Sequence, residues 1–516
     1  MMNTKYASGY LTVYMTMVLA VILSLCMTMI EGARRSAMRM EAEVITDTAM
    51  RSVLAEYNRE LMRQYNIFAV DSSYGSAASG MDRTSDRFKE YMEKNYTYDA
   101  AMPLLNYRDF IGAYPEEAQV SGVVYLTDDN GRVFRECAIE AISDDLGIEA
   151  AKQVIGWVTS SELTAADSMD VISEMNEEAG SVSSAASSER RRREEERASQ
   201  EAEYEKACLE SEEAGEDAPA KPDLTELPEE YNSPVSSVAD TVNTGILGML
   251  VDDPENLSRR QLDQTEIISG RLFSENTNVG NISWGEPDSN AAEELLNKAL
   301  FGEYLMKYMG RYGDTDPDDA MWYQIEYLIS GKDTDTENLN SVALRIMTIR
   351  AGMDMLYLES DTGKKAQASA LATTICTACM IEWMIPVLTH VILLAWALIE
   401  ARYDTATLLA GGKIPFIKDY SSWHSDLDSA LSGSFPVADK DADAGLSYSD
   451  YLRIFLLMTD TEELTVRAMD IIESDLRLSP GNGNFRMDAC IEMIEVNAAI
   501  KSMFGSRITI NRKLKY

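Results

Sequence analysis

The sequence predicts an α+β protein, mostly α-helical, in which an N-terminal transmembrane helix extends into an amphipathic helix and is followed by helix-rich regions with short strands. Three observations carry that class. Tyr10 to Ile30 is an uncharged run of 21 residues dominated by Leu, Val, Ile and Met. Apolar residues recur at spacings of three and four over much of the remaining chain. Period-two runs are short and few, and the one near Val120 ends on the turn-forming Asp128-Asp129-Asn130-Gly131.

Tyr10, Leu19, Val21, Ile22, Leu25 and Ile30 mark the first run. At about 1.5 Å per residue it makes a helix of roughly 31 Å, the thickness of a bilayer's hydrocarbon core. Glu31, Arg34, Arg35 and Arg39 close it. A cleavable signal peptide has a shorter apolar region, a basic start and a small-x-small cleavage site. Here only Lys5 precedes the run, and Met29-Ile30-Glu31-Gly32-Ala33 is a poor cleavage site, so a retained signal-anchor is expected. Arg34, Arg35 and Arg39 against Lys5, read by the positive-inside rule alone, put the large domain in the cytoplasm.

Behind the anchor, Met38, Ala42, Ile45, Ala49, Val53, Tyr57, Leu61 and Tyr65 form one apolar stripe, so the helix is expected to continue unbroken. Asn66 interrupts it, Ile67 to Val70 reads as a short strand, and Asp71 to Gly80 reads as a turn. A membrane helix that runs on into an amphipathic half and then meets a sheet is the build of type IV pilins; an ordinary anchor with a stalk helix fits the same residues. A helix over Asp82–Tyr96, a strand over Val120–Leu126, a turn and a further helix complete a region expected at 31–180.

Residues 181–234 change in composition: a Ser/Ala stretch, then Glu189 to Arg197 with four consecutive arginines, then an acidic tract with Pro222 and Pro228. Little of it can be buried, so a charged linker is expected, disordered or a single helix. A second helix-rich α+β domain is expected over 235–516. Within it, Leu339, Val342, Ile346, Ile349, Met353 and Leu356 define a helix from Glu337 to Glu359, capped by Asp333, Thr334 or Asp335. Tyr323 to Ile329 resembles a buried strand ending at Gly331. Residues 366–402 form one very apolar helical run. Trp383 to Ile399 is long enough to span a thinned bilayer, whereas Glu382, Pro386 and His390 favour a central buried helix. Helices from Ser449 and Glu462 and extended segments at Ile491–Val496 and Ile508–Ile510 close the chain.

Composition limits the function. The 86 acidic residues outnumber 46 basic ones, a net charge of −40 that repels phosphates and argues against a nucleic-acid partner. Six cysteines are too few and too scattered for a disulfide scaffold, and Cys376 and Cys379 fall in an apolar helix where burial explains them. Of the two histidines, His390 reads as a hydrogen-bonded core residue and His424 as a loop residue near Asp426 and Asp428. No H-E-x-x-H, G-x-S-x-G or paired zinc-cysteine motif is present, so no catalytic residue, cofactor or enzyme activity is expected. Gly411-Gly412-Lys413 reads as a helix C-cap. Two acidic runs are calcium candidates: Asp314, Asp316, Asp318 and Asp319, and Asp439, Asp441 and Asp443 with Asp450 at the twelfth position. The first lacks the glycine and terminal glutamate of an EF-hand and the second has Gly445 one place late, so solvated turn acids are the expected role.

Several stretches together resemble a family of Gram-positive, membrane-anchored proteins of unknown function. They are Gly9 to Val13, Ala55 to Leu61 with Tyr65 and Phe68, Glu326 to Lys332, Trp396 to Ala401, Leu409 to Pro415 and Tyr448 to Arg453. At its anchor that family is similar to the minor pseudopilins of tight-adherence (Flp-type) pilus systems. The resemblance implies a cell-membrane location with residues 1–9 cytoplasmic and most of the chain extracytoplasmic. It also implies partners beyond the lipid bilayer, namely pilus or secretion-system subunits and platform proteins. Prepilin peptidase cuts after a glycine and favours Glu five positions on. Gly9 is placed for such processing, but the fifth position is Tyr14, which fits an accessory role better than that of a major subunit. The expected function is a non-catalytic, pseudopilin-like assembly component of a surface appendage; the alternative is a membrane-anchored sensor or ligand-binding module.

Overall fold

The apolar run and much of the stripe behind it form one helix, α1 (Lys5–Leu54). It belongs to a computed structural model that describes residues 5–76, 78, 80–96, 111–143, 145–214, 217, 220–236, 238, 247–251, 253–263, 267–271, 282, 284–285, 290–432 and 437–516. The stripe does not continue unbroken. The backbone turns at Ala55 and Glu56, and the Asn58 side chain accepts the N–H groups of Glu60 and Leu61 to start α2 (Arg59–Tyr65). Asn66, at φ 53°, closes it in the left-handed region that asparagine tolerates.

β1 (Val70–Asp71), α3 (Met81–Tyr96), β2 (Ala113–Tyr125) and α4 (Asp128–Glu140) follow. The first turn of α4 holds Asp129, Asn130 and Gly131 at φ 54°, 55° and 71°, as an Asp-Asn-Gly sequence permits. Next come α5 (Asp145–Val158), α6 (Ser161–Asp167), α7 (Val171–Ala214), α8 (Leu247–Leu250), α9 (Ala291–Tyr308), α10 (Gln324–Ser330) and α11 (Asp335–Ser360). The chain ends with α12 (Thr362–Ala378), α13 (Ile385–Leu409), β3 (Lys413–Ile414), α14 (Leu427–Ser432), β4 (Leu446–Ser447), α15 (Tyr448–Met458), α16 (Thr461–Leu478), β5 (Cys490–Ser502) and β6 (Arg507–Lys515). The elements gather into two compact units. One comprises Met1–Ile142, Asp263–Asn290 and Thr465–Tyr516; the other comprises Ser143–Leu262 and Ala291–Leu464.

The first unit is a four-stranded antiparallel sheet with helices on one face. β5 lies at its centre, paired with β2 from Ala113↔Ser502 to Tyr125↔Ile491 and with β6 from Met493↔Lys515 to Lys501↔Arg507. β1 pairs with Cys490 and Ile491, beyond the reach of β6. Val496, Ala498 and Ile500 point to one face, as period two requires. There they meet Met38, Ala42, Ala49, Met50 and Val53 of α1 and Phe88 and Met92 of α3. Burial of this α1 stripe against a sheet is what holds the second half of a helix whose first half has no protein around it.

The second unit is helical around α13, where every residue from Val391 to Ala401 is buried. A helix apolar on all sides needs protein on all sides, here α7, α11 and α12. Two expectations are corrected here. Tyr323–Ile329 is not a strand but most of α10, ended by Gly331 at φ 62°; a short, wholly buried run has no periodicity to tell the two apart. The run 366–402 is two helices, broken by Met380 at φ 57° and the 3₁₀ turn Glu382–Met384. At the start of the charged segment the helical alternative holds: α7 carries the arginine block as a solvated helix with Arg190–Glu194 and Arg192–Glu196 pairs at i,i+4. The capped helix near Glu337 stands as expected, Thr334 and Glu337 forming a reciprocal capping box for α11.

Candidate functional site

Every residue from Tyr10 to Ile30 is exposed, including Tyr10, Leu19, Val21, Ile22, Leu25 and Ile30. Gly9 lies inside the same helix, one residue before the apolar run. Large aliphatic side chains left bare over 21 positions are incompatible with water as their only surroundings. Two helices are long and apolar enough to cross a membrane: α1, and the segment Glu382–Leu409, which is largely buried inside its own unit.

From Met38 onward α1 is held on its sheet by charge as well as by burial. Arg512 of β6 lies 3.6 Å from Glu43 and 3.9 Å from Asp47, and the Tyr516 hydroxyl donates to the Leu54 carbonyl. In the same unit burial pushes the Glu492 carboxyl on β5 up to about 8, Lys515 opposing, and raises the Cys137 thiol well above its usual range.

The calcium candidates are not gathered around one point. Asp439 accepts the N–H of Asp441 in a local turn. Asp450 is occupied at the start of α15: it accepts from the backbone and hydroxyl of Ser447 in a capping box and pairs with Arg453 at 3.2 Å. Of the first acidic run, Asp314 pairs with Arg311 at 2.8 Å. Among the described residues, one group of three does bring metal-type donors within 4.8 Å of one another, namely Glu174, Glu178 and His390. The glutamates stand four apart on α7, and His390 Nδ1 of α13 lies 2.8 Å from Glu178 Oε2. Val171, Met175, Val182 and Ala186 are the buried face that holds α7 in place there.

The sequence reading missed a buried ionic cluster in the second unit. Arg350 of α11, with no exposed surface, donates to Asp404 at 2.8 Å, to Asp354 at 3.2 Å and to the carbonyls of Pro415 and Phe416 at 3.1 and 3.0 Å. Lys418 reaches Glu400 and lies 2.7 Å from Asp404. Glu400 also accepts the N–H groups of His424 and Ser425 at 3.0 and 2.7 Å.

Burial drives the Asp354 carboxyl far above its usual range, against the pull of Lys418 and Arg350. Burial acts the same way on Glu400, but the His424 and Lys418 contacts outweigh it and hold that group well below the carboxylate range. Two cations, Arg350 and Lys418, thus face three carboxyl groups, those of Asp354, Glu400 and Asp404. The effect of the cluster is mechanical: it ties the chain between Pro415 and Ser425 to α11 and α13. Trp423 follows, its ring 5.2 Å from Tyr357 and 6.1 Å from Trp396. A sequence signal did exist. Arg350 and Asp354, and Glu400 and Asp404, are charges four apart inside apolar helical stretches, a pattern that points inward.

A third buried group is Glu326 of α10, which accepts from the Tyr448 hydroxyl at 2.6 Å and the Tyr312 N–H at 3.0 Å. Burial pushes it up to about 7.

These features define an α+β, mostly helical protein whose N-terminal helix is long and apolar enough for a membrane and whose second unit holds a buried ionic cluster. The chain belongs to a family of unknown function (DUF5702), whose model matches residues 225–502. No curated protein and no solved structure matches it. The family match leaves α1 outside and takes in the ionic cluster, Glu326 and β5.

Proposed function

We propose that this chain is a non-catalytic, membrane-anchored assembly component, a pseudopilin-like accessory of a surface appendage or secretion system, with most of its mass extracytoplasmic. One observation supports the reading above others: α1 is a single helix, bare from Tyr10 to Ile30 and seated from Met38 on a four-stranded antiparallel sheet. A bare half demands lipid or neighbouring apolar helices, and a seated half fixes the angle at which a folded unit leaves them. Tyr14 in place of an acid argues for an accessory. In a pilus that acid pairs with a neighbour's amino terminus within the bilayer, and a phenol cannot replace it. The partners of this reading are the bilayer, a secretion ATPase and an inner-membrane platform protein.

Protease shaving of intact cells tests it. Digestion of the bulk while a fragment containing Tyr10–Ile30 stays with the membrane is the expected result; full protection, as Arg34, Arg35 and Arg39 taken alone would require, overturns it.

The alternative, an ectodomain that holds a ligand, has one observation in its favour. Glu174, Glu178 and His390 present two carboxylates and an imidazole within 4.8 Å, a donor set suited to zinc or manganese. Zinc-dependent thermal stabilisation that disappears in His390→Ala would support that reading over the first.

A further inference from the structure

Three contacts give the course of β6 relative to α1. The Arg34 guanidinium lies 3.9 Å over the Phe504 ring, before the strand begins. Arg512 lies 3.6 Å from Glu43, and Tyr516 reaches the Leu54 carbonyl. β6 therefore runs beside α1 in the same direction, away from the apolar run. The turn that precedes it, between Ser502 and Arg507, sits at the anchor end of the sheet.

Arg34 is four residues beyond Ile30. That is about 6 Å along the helix axis, the depth of one headgroup layer outside the hydrocarbon core. At this level the turn displays Met503, 72% exposed, and Phe504, 58% exposed. The fold fixes it there. The Met503 N–H donates to the Gly112 carbonyl at 2.8 Å, Ser502 Oγ donates to the Ile111 carbonyl at 2.9 Å, and Gly505 supplies φ 89°. Behind the apolar tip come Tyr114, 42% exposed, and the register pair Lys501↔Arg507, both held by Glu116 at 3.2 and 2.8 Å. Apolar tip first, then aromatic and basic side chains, is the order in which a bilayer presents its acyl boundary and its phosphates.

We propose that the β5–β6 turn, through Met503 and Phe504, is a second lipid contact that dips into the bilayer spanned by α1. The proposal rests on the reading of α1 as a membrane span, and continuity with that span selects lipid as the occupant. The turn makes the sheet a second foot: the helix fixes position, and the tip fixes rotation about the helix axis.

The test uses the full chain in phosphatidylcholine–phosphatidylglycerol vesicles doped with a phospholipid that carries a carbene precursor in its acyl chain. After photolysis, trypsin releases Tyr6–Arg34 with the anchor and Ser502–Arg507 with the tip. Adducts on both peptides are the expected result. Met503→Glu with Phe504→Glu should lower tip adducts about tenfold and leave anchor adducts in place, and Met503→Leu with Phe504→Leu should retain both. Adducts on the anchor alone overturn the proposal while the membrane reading stands, and this includes the case in which a second copy of the chain covers the tip. Adducts on neither peptide overturn the membrane reading and the proposal with it.

Discussion

Substitution of Glu326 by Gln should change how the stability of the second unit depends on pH. Glu326 is fully buried, its Oε1 accepts from Tyr448 and Tyr312, and its Oε2 has no hydrogen-bond partner among the described residues. Burial lifts it from 4.5 to about 7, and the nearby Asp335 carboxylate adds to the rise. A raised carboxyl favours the native state in its protonated form. Its contribution is fully present below the unfolded value near 4.5 and is lost as pH climbs through about 7.

That displacement corresponds to about 3 kcal/mol, or about 6 °C in melting temperature for a unit of this size. Gln keeps the acceptor facing Tyr448 and Tyr312 and cannot ionise. The assay is thermal melting of purified full-length wild type and Glu326→Gln in detergent micelles, from pH 4.5 to pH 8.5 at one scan rate. The variant should melt close to wild type near pH 5 and progressively above it toward pH 8. Glu492 titrates in both proteins and cancels in the difference. A melting difference that stays constant across the range would refute the reasoning, since it would mean that Glu326 carries the same protonation in both states.

Four further outcomes follow from the geometry. Lys418→Met removes the cation shared by Glu400 and Asp404, both without exposed surface, and should cost about 3–5 kcal/mol. Limited proteolysis should then cut between Pro415 and Ser425, where wild type resists. Gly331→Ala places a Cβ at φ 62° at the end of α10 and should cost about 1 kcal/mol, read as a melting temperature about 2 °C lower. Ser447→Ala should cost about 1 kcal/mol by removing the α15 cap. Millimolar calcium should leave the melting temperature of wild type unchanged, because Asp450 is already engaged by Ser447 and Arg453.

What the sequence made legible was local. Tyr10 to Ile30 declares itself because lipid-length runs without charge are rare in water-facing helices. Thr334 and Glu337 declare α11 because a capping box is written in four adjacent residues. Asp128 to Gly131 marks its turn by composition. Non-local physics stayed hidden. The partner of Val120 is Val496, and nothing near either residue names the other. Tyr323–Ile329 was ambiguous because burial on every side erases periodicity. The break at Met380 carries neither glycine nor proline. Arg350 and Lys418 were passed over because a charge counts as surface until its partners, 54 and 18 residues away at Asp404 and Glu400, are brought beside it. The glutamate–histidine group on α7 and α13 was beyond reach for the same reason.

The order in which the sheet is assembled has a consequence for biogenesis. The floor beneath Met38–Leu54 includes β5 and β6, which follow Leu54 by about 440 residues. At ordinary elongation rates those strands leave the ribosome about 20–90 s after the helix they must receive. For that interval the stripe of Met38, Ala42 and Val53 is an unshielded sticky surface next to an apolar run long enough to cross a membrane. Shielding of that stripe, by a chaperone or another apolar surface, is then a kinetic requirement for making this protein, and late truncations should be cleared by quality-control proteases rather than accumulate.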